Sequence, residues 1–331
     1  MRFKKLRSTD IVKIIGAYQG CSGDADKKLS EEFNVSERTI RNWAYSLGLT
    51  RKAKEDNSNT TIEKVQENNH HAKVLVFDIE TAPLAGYLWS IWKFSLGFNM
   101  DMLESDWFML TWSAKWLFDE KVMADKLTPK EALEQNDKRI VTSLWALIEE
   151  ADIIIAHNAV KFDEKKMNTR FLLHGLPKPM PYRVIDTLQH AKKRLAVTSN
   201  RLDYLGKFFG LGGKIDTGGW ELWDRCVKGD GEALEKMELY NIRDIKLLED
   251  VYLKMRPYIQ PHPNMGLFIT EDEEACPTCG ETEDLERGGL YTTSVNTYEA
   301  IRCKRCGSIG RVRKGNFSIK NNSNLIAPVA R

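Results

Sequence analysis

The sequence predicts a layered α/β domain, with a small helical module ahead of it and a small β-rich, cysteine-bearing module behind. Three observations lead there. Between Val74 and Arg256, short apolar runs alternate with stretches of helical period, the pattern of a sheet covered by helices. Residues 8–48 show helical spacing alone, with no strand-like run. After residue 275, two Cys-x-x-Cys pairs are separated by 23 residues, those between Cys279 and Cys303 of "CKRC". The expected division is 1–50 helical, 51–72 linker, 73–260 α/β body and 261–331 cysteine module.

In the helical module, "STDIVKIIGAY" forms an amphipathic first helix with Ser8 or Thr9 as cap. "KKLSEEFNVSERTIRNWAYSLGL" then reads as helix, tight turn, helix. Leu29, Phe33 and Val35 line the junction, and Ser36 caps a last helix that turns Ile40, Trp43 and Leu47 inward. Its outer face carries Glu37, Arg38, Arg41 and Asn42, polar groups suited to a DNA groove. These forty residues resemble the helix-turn-helix modules of recombinases, repressors and homing endonucleases. A helical bundle for protein contacts is the alternative. The excess of base over acid in residues 1–54, 12 Lys and Arg against 6 Asp and Glu, favours nucleic acid. The linker is polar and free of Pro and Gly, and its His70 and His71 have no partner ligands nearby in sequence.

In the body, "VLVFDI", "WFMLTWSAKWLF", "KVMADKL" and "DIIIAHN" read as strands. "KRIVTSLWALIEEA" is an amphipathic helix, and "FDEKKMNTRFLLHGL" is a helix stopped by Gly175 with Pro177 beyond. "RVIDTLQHAKK" passes from strand to helix, "RLDYLGKFFGLGGK" is a helix closing on glycines, and residues 231–256 form a long final helix. "GLGGK" follows a helix and lacks a trailing Ser or Thr, so a helix end explains it better than a phosphate loop.

The chemistry gathers at three places. In "KVLVFDIETAPL", Asp78 and Glu80 are two apart on a strand, so they share a face while Phe77 and Ile79 take the other. Two carboxylates side by side repel unless a cation neutralises them, which points to a divalent metal; a solvated strand end is the bland alternative. Asp163 follows His157 and Asn158 where a strand gives way to a helix, a place also favourable to any acid through the helix dipole. Tyr240 and Asp244 are four apart on the last helix and so lie on one face.

Those motifs in that order resemble the DEDD exonucleases, which are built on the ribonuclease H-like fold. Asp78 and Glu80 in "FDIET" match the first motif, Asn158, Phe162 and Asp163 the second, and Tyr240 and Asp244 the third. The histidine branch places a His five residues before the last Asp, where this chain has Leu239, so the resemblance is to the tyrosine branch. That branch includes the proofreading domains of family B DNA polymerases, and stretches such as "SAKWL" look most like stand-alone bacterial and phage relatives. The resemblance spans roughly residues 74 to 256. It implies a ribonuclease H-like mixed sheet flanked by helices and two-metal 3′→5′ exonuclease chemistry. Two Mg²⁺ or Mn²⁺ would be held by Asp78, Glu80, Asp163 and Asp244, with Tyr240 orienting the attacking water and Thr81 and Asn158 near the substrate strand.

Aromatic residues crowd the span after the first motif: Tyr87, Trp89, Trp92, Phe94, Phe98, Trp107, Trp112 and Trp116. Most are expected in the core, with Tyr87 to Phe98 the better candidates for stacking on unpaired bases. "CPTCG" and "CKRCG" form two knuckles whose Cys276, Cys279, Cys303 and Cys306 suit one tetrahedral Zn²⁺, iron being the alternative. Arg302, Lys304 and Arg305, with Arg311, Arg313 and Lys314, surround the second knuckle and suggest phosphate contacts. Cys21 and Cys226 read as isolated thiols.

Of 331 residues, 42% are hydrophobic and 29% charged, ordinary for a globular protein. No apolar run approaches the ~18 residues of a membrane span, and the N-terminus lacks an apolar signal core, so the expected compartment is the cytoplasm of a bacterial or phage-infected cell. DNA is the expected partner, with RNA as an alternative substrate and replication or repair proteins as further partners. Other readings of the same features are a structure-specific endonuclease, a transposase-like enzyme, or a DNA-binding regulator without catalysis.

Overall fold

Val74–Thr81 forms the central strand β1 because its apolar and β-branched residues can be buried on both faces. In the computed structural model, residues 25–33, 35–40, 72–88, 100–213, 218–269 and 274–315 are described. The expectations that concern Ser8, Thr9, Cys21, Arg41, Asn42, Trp43, Leu47, the linker, Trp89, Trp92, Phe94 and Phe98 lie outside them.

Ahead of β1, helix α1 (Ala25–Phe33) buries Leu29 and Phe33. Ser36 Oγ accepts the Thr39 amide at 3.1 Å and so caps the next turn, which buries Ile40. Glu37 is exposed there and Arg38 half-buried.

After β1 come the short strands β2 (Ala85–Gly86) and β3 (Leu103–Ser105), paired with each other, then β4 (Met109–Trp116) and β5 (Met123–Lys126). Helix α2 (Pro129–Leu133) starts on a capping box made by Thr128 and Glu131, and α3 (Lys138–Glu150) follows. Strand β6 (Ile153–Ala156) leads to α4 (Asp163–Leu173), and β7 (Arg183–Asp186) leads directly to α5 (Thr187–Arg194). Helices α6 (Leu202–Phe208), α7 (Trp220–Val227) and the 25-residue α8 (Gly231–Met255) complete the body.

The five-stranded sheet runs β5-β4-β1-β6-β7. The β5–β4 and β4–β1 pairs are antiparallel, while β1, β6 and β7 run parallel, so the sheet is mixed and flanked by helices. Strand alternation divides its core in two. Leu75, Phe77 and Ile79 pack with Leu110, Trp112 and Ala114 against Ile140, Leu144 and Ile148 of α3. On the opposite face Val74 and Val76 pack with Ile153 and Ile155 against Ile245, Leu248 and Val251 of α8.

Two further features fix the frame. Asp137, fully buried, accepts hydrogen bonds from the Met109 amide at 2.8 Å and Arg170 at 2.5 Å, and pairs with His174 at 2.6 Å. That network ties α4 to β4 and to the start of α3. Lys115 of β4 forms a buried ion pair with Glu249 of α8, whose other oxygen accepts the Phe118 amide at 2.9 Å.

Helix α6 ends as the glycine-rich sequence requires. Gly210 takes φ 74°, its amide bonds to Lys207 O, and the Leu211 amide reaches back to Gly206 O at 2.8 Å. "GLGG" is therefore a helix C-terminus.

Beyond α8, the strands β8 (Leu285–Thr292), β9 (Thr297–Cys303) and β10 (Ile309–Arg311) make a separate antiparallel sheet in the order β10-β9-β8. No described helix is long and apolar enough to cross a membrane.

Candidate metal centre

Asp78 and Glu80 leave β1 on the face toward α8, in register with Ser113 and Thr111 of β4, as their two-residue spacing requires. Ile79 between them is buried on the opposite side with the α3 cluster. Asp244, on the buried side of α8, brings its carboxylate to them, so that one ligand oxygen from each of the three lies within 4.8 Å of the others. A register shift between Glu80 and Thr81 ends the regular pairing at that point.

Asp163 is the first residue of α4 and only 1% exposed. It stands outside the 4.8 Å group, yet close enough to feel it. Burial first, and then the negative charge of Asp78, push its carboxyl well above the usual carboxylate range. Both carboxylate oxygens are buried without a hydrogen-bond partner of normal geometry. A carboxyl as buried as Asp163 beside other acids must hold a proton or meet a cation, and oxygen-rich sets of this kind suit Mg²⁺ or Mn²⁺. The donor set fits such ions.

Tyr240 lies one turn before Asp244 on the same side of α8, half-buried, with its ring edge-on to Trp223 at a centroid distance of 6.4 Å. Leu239, at the position where the histidine branch would place its His, is 62% exposed and turned outward.

The loop bearing the second motif is held by a residue that belongs to none of the three motifs. Asp186, at the end of β7, accepts the Asn158 amide at 3.0 Å and the Val160 amide at 3.2 Å, while also capping α5. Asn158 sits in the left-handed region at φ 81°, a conformation Asn tolerates better than most residues. His157 is structural: its ring nitrogens meet Thr187 Oγ1 and Asn200 O, each at 2.9 Å.

Asn241 was also missed. It is fully buried, and its side-chain amide donates to Asp78 Oδ2 at 3.2 Å. A lone Asn in a helix gives no signal in sequence, except that it stands three residues before Asp244 and so on the same helix face. Asn241→Leu should leave the fold intact and weaken Mg²⁺ or Mn²⁺ binding by about 10- to 100-fold, as loss of an orienting partner does at metal sites. Comparable metal affinity in the variant and the parent, by titration calorimetry, would show that Asp78 needs no such orientation.

Beside Thr81 opens a cleft of about 350 Å³ lined by Leu84, Trp107, Lys166, Trp220 and Trp223. Lys166 Nζ donates to Thr81 Oγ1 at 3.1 Å and lies 3.9 Å from the Trp107 ring centroid. Burial lowers the Lys166 pKa, against the opposing pull of Asp106 and Asp163. Among the aromatics of this region, Trp112 is core, its indole N–H bonded to Ile140 O, and Tyr87 is 67% exposed.

In the C-terminal sheet the four expected cysteines converge, with one Sγ from each within 4.8 Å of the rest. Cys276–Cys306 and Cys279–Cys303 are each 3.6 Å apart, far too long for a disulfide. Tetrahedral thiolates around Zn²⁺ at ~2.3 Å would stand about 3.8 Å apart, so the group could hold such an ion. The two knuckles repeat one geometry. Gly280 and Gly307 adopt φ 79° and 76°, and their amides return to Cys276 O and Cys303 O, each at 2.9 Å. The hydrogen bond between Cys276 and Cys279 lowers the Cys276 thiol pKa and raises that of Cys279, so the metal-free pair shares a proton that a bound cation would displace. Cys226 is buried elsewhere and its thiol is pushed up to about 12, chiefly by that burial.

The other expected contact residues are dispersed. Arg302 and Lys304 are exposed, Arg305 is paired with Glu281 at 3.0 Å, and Arg38 belongs to the N-terminal module.

Residues 75–256 match a family model, RNase_H_2, described as RNase_H superfamily. No curated protein matches the chain. Among solved structures, the family B DNA polymerase from the hyperthermophilic archaeon Pyrobaculum calidifontis is similar at 16% identity and a TM-score of 0.41. The similarity covers 56% of this chain and 25% of that polymerase chain.

Proposed function

This chain belongs to the RNase H superfamily, and we propose that it is a metal-dependent nuclease that removes nucleotides from the 3′ ends of DNA. The observation that carries the reading is the convergence of Asp78, Glu80 and Asp244, with Asp163 buried beside them. The order of motifs, ending in Tyr240 and Asp244 with no His before the last acid, supplies the polarity through its resemblance to the tyrosine branch.

Asp78, Glu80, Asp163 and Asp244 are the residues that would hold two Mg²⁺ or Mn²⁺, which when bound supply a more acidic water and neutralise charge on the phosphate. The chain's own groups do the rest. Asn241 fixes the Asp78 carboxylate. The Tyr240 phenol, on the Asp244 face of α8, orients the attacking water. The cleft of Trp107, Lys166, Trp220 and Trp223 offers stacking surface and a cation to the terminal nucleotide, with Thr81 at its edge. Asn158 would contact the substrate strand from the second-motif loop. Arg38 and Arg41 of the N-terminal module would contact duplex phosphates or bases, possession of a helix-turn-helix there being part of the proposal.

Digestion of 5′-labelled single- and double-stranded DNA and RNA with Mg²⁺ tests the reading. A ladder shortening from the 3′ end, absent in Asp78→Ala and in Mg²⁺-free buffer, is the expected result. Discrete internal cuts would make the protein an endonuclease, and intact substrate under every condition, with DNA bound, would make it a regulator. The metal-free control must omit strong chelators, because those would also strip an ion from the four cysteines.

A further inference from the structure

The sheet of β8, β9 and β10 presents a face that hydrolysis in the body leaves unused. Alternation along β9 puts Tyr298, Ala300 and Arg302 on one side, while Glu299, Ile301 and Cys303 take the other. In register across the sheet, Tyr291 stands opposite Tyr298, Arg311 opposite Ala300, and Ile309 opposite Arg302. One face thus gathers two tyrosines and two arginines, with Glu286 opposite Arg302 at its edge.

The groups are arranged for contact with something outside the chain. The Arg311 guanidinium lies 3.9 Å from the Tyr298 ring centroid and 5.8 Å from that of Tyr291. Ala300, opposite Arg311, has no bulk to lift it off the rings. Tyr291 is 50% exposed and Arg302 and Arg311 are exposed, while Tyr298 is half-buried beneath Arg311 and Ala300 is buried between them, so the outer groups of the face are open to solvent. Lys304, Arg313 and Lys314 are exposed as well, and the sequence has no acid after Glu299. Arg305, tied to Glu281, is not required for this surface.

We propose that this face binds a single strand of nucleic acid, its bases stacking on Tyr291 and on the Arg311–Tyr298 pair and its phosphates meeting Arg302 and Arg311. Stacking on exposed rings needs unpaired bases, and the surplus of positive charge selects a polyanion over an ordinary protein surface. The surface is separate from the carboxylates and binds whether or not the body hydrolyses what it holds. Stacking and phosphate contact do not depend on the sugar, so DNA and RNA strands are both candidates.

The test uses the full chain with Ca²⁺ in place of Mg²⁺, so that binding is read without cleavage. Anisotropy of fluorescein-labelled oligo-dT and oligo-U 15-mers should show Tyr291→Ala with Tyr298→Ala weakening binding by about 10- to 100-fold, with the Tyr→Phe pair close to wild type. Arg302→Ala and Arg311→Ala should each flatten the dependence of log K on log salt by about 0.7. Wild-type protein photocross-linked to a bromouracil oligonucleotide should be labelled between residues 288 and 302, a readout no misfolded variant can confuse. Binding of either oligonucleotide with these losses supports the proposal. Failure of the wild type to bind both, unchanged affinity in the double Tyr→Ala variant, or cross-links confined to residues 73–260 would overturn it. None of these outcomes depends on the nuclease activity.

Discussion

Asp163→Asn is expected to lower cleavage by about 10³-fold, equivalent to about 4 kcal/mol of transition-state stabilisation, while making the metal-free protein more stable. The two effects have one origin. Asp163 is nearly inaccessible, neither carboxylate oxygen has a hydrogen-bond partner of normal geometry, and Asp78 opposes its charge. An amide of the same shape removes the buried charge and the repulsion, but also a metal ligand. Its folded-state pKa is raised, so the stability linked to the protonated carboxyl is fully present below the unfolded value near 3.9. That stability is lost as pH rises through the folded value. Wild-type protein without metal should therefore melt at a lower temperature at pH 8 than at pH 5, and the Asn variant should show less of this dependence. Added Mg²⁺ should raise the wild-type Tm at pH 8 more than the variant's, because ligand binding stabilises only the state that binds. Thermal melts at the two pH values, with and without Mg²⁺, read all of this. A less stable metal-free variant that still cleaves would mean that Asp163 is an ordinary packed acid.

What the sequence conveyed about this site was what period and residue type can carry. Asp78 and Glu80 share a face because alternation is fixed by strand geometry, and Tyr240 and Asp244 share one because helical spacing is fixed too. The strands and helices of the body followed from apolar runs and caps, down to the glycine that ends α6. Sheet order did not follow, since nothing local distinguishes β4 pairing with β1 from β4 pairing with β6. Asn241 and Asp186 were missed for the same reason. Each acts across a long stretch of chain, Asn241 on Asp78 and Asp186 on the loop that carries Asn158. Such residues carry no local pattern, and only the folded geometry gives them their role. Lys166 and Trp220 likewise come together in the cleft although 54 positions separate them.

Cys279→Ser or Cys306→Ser should unfold the C-terminal sheet and leave the body folded. The β8–β10 module has little else to hold it, because β8 exposes almost all of its residues and few large apolar side chains are buried there. A module that cannot bury a core relies on a bound ion, and a structural zinc contributes about 10–16 kcal/mol of apparent folding free energy. The body has its own two hydrophobic clusters and does not share that dependence. Purified wild-type chain should accordingly contain one zinc per molecule by elemental analysis. Either serine variant should contain much less, and limited proteolysis should cut it within residues 274–315 while sparing residues 73–260. Iron in place of zinc would keep the structural argument and change the metal. A chain with no bound metal whose residues 274–315 resist proteolysis would show that the four thiols hold the sheet through packing alone, and the tetrahedral site would have to be abandoned.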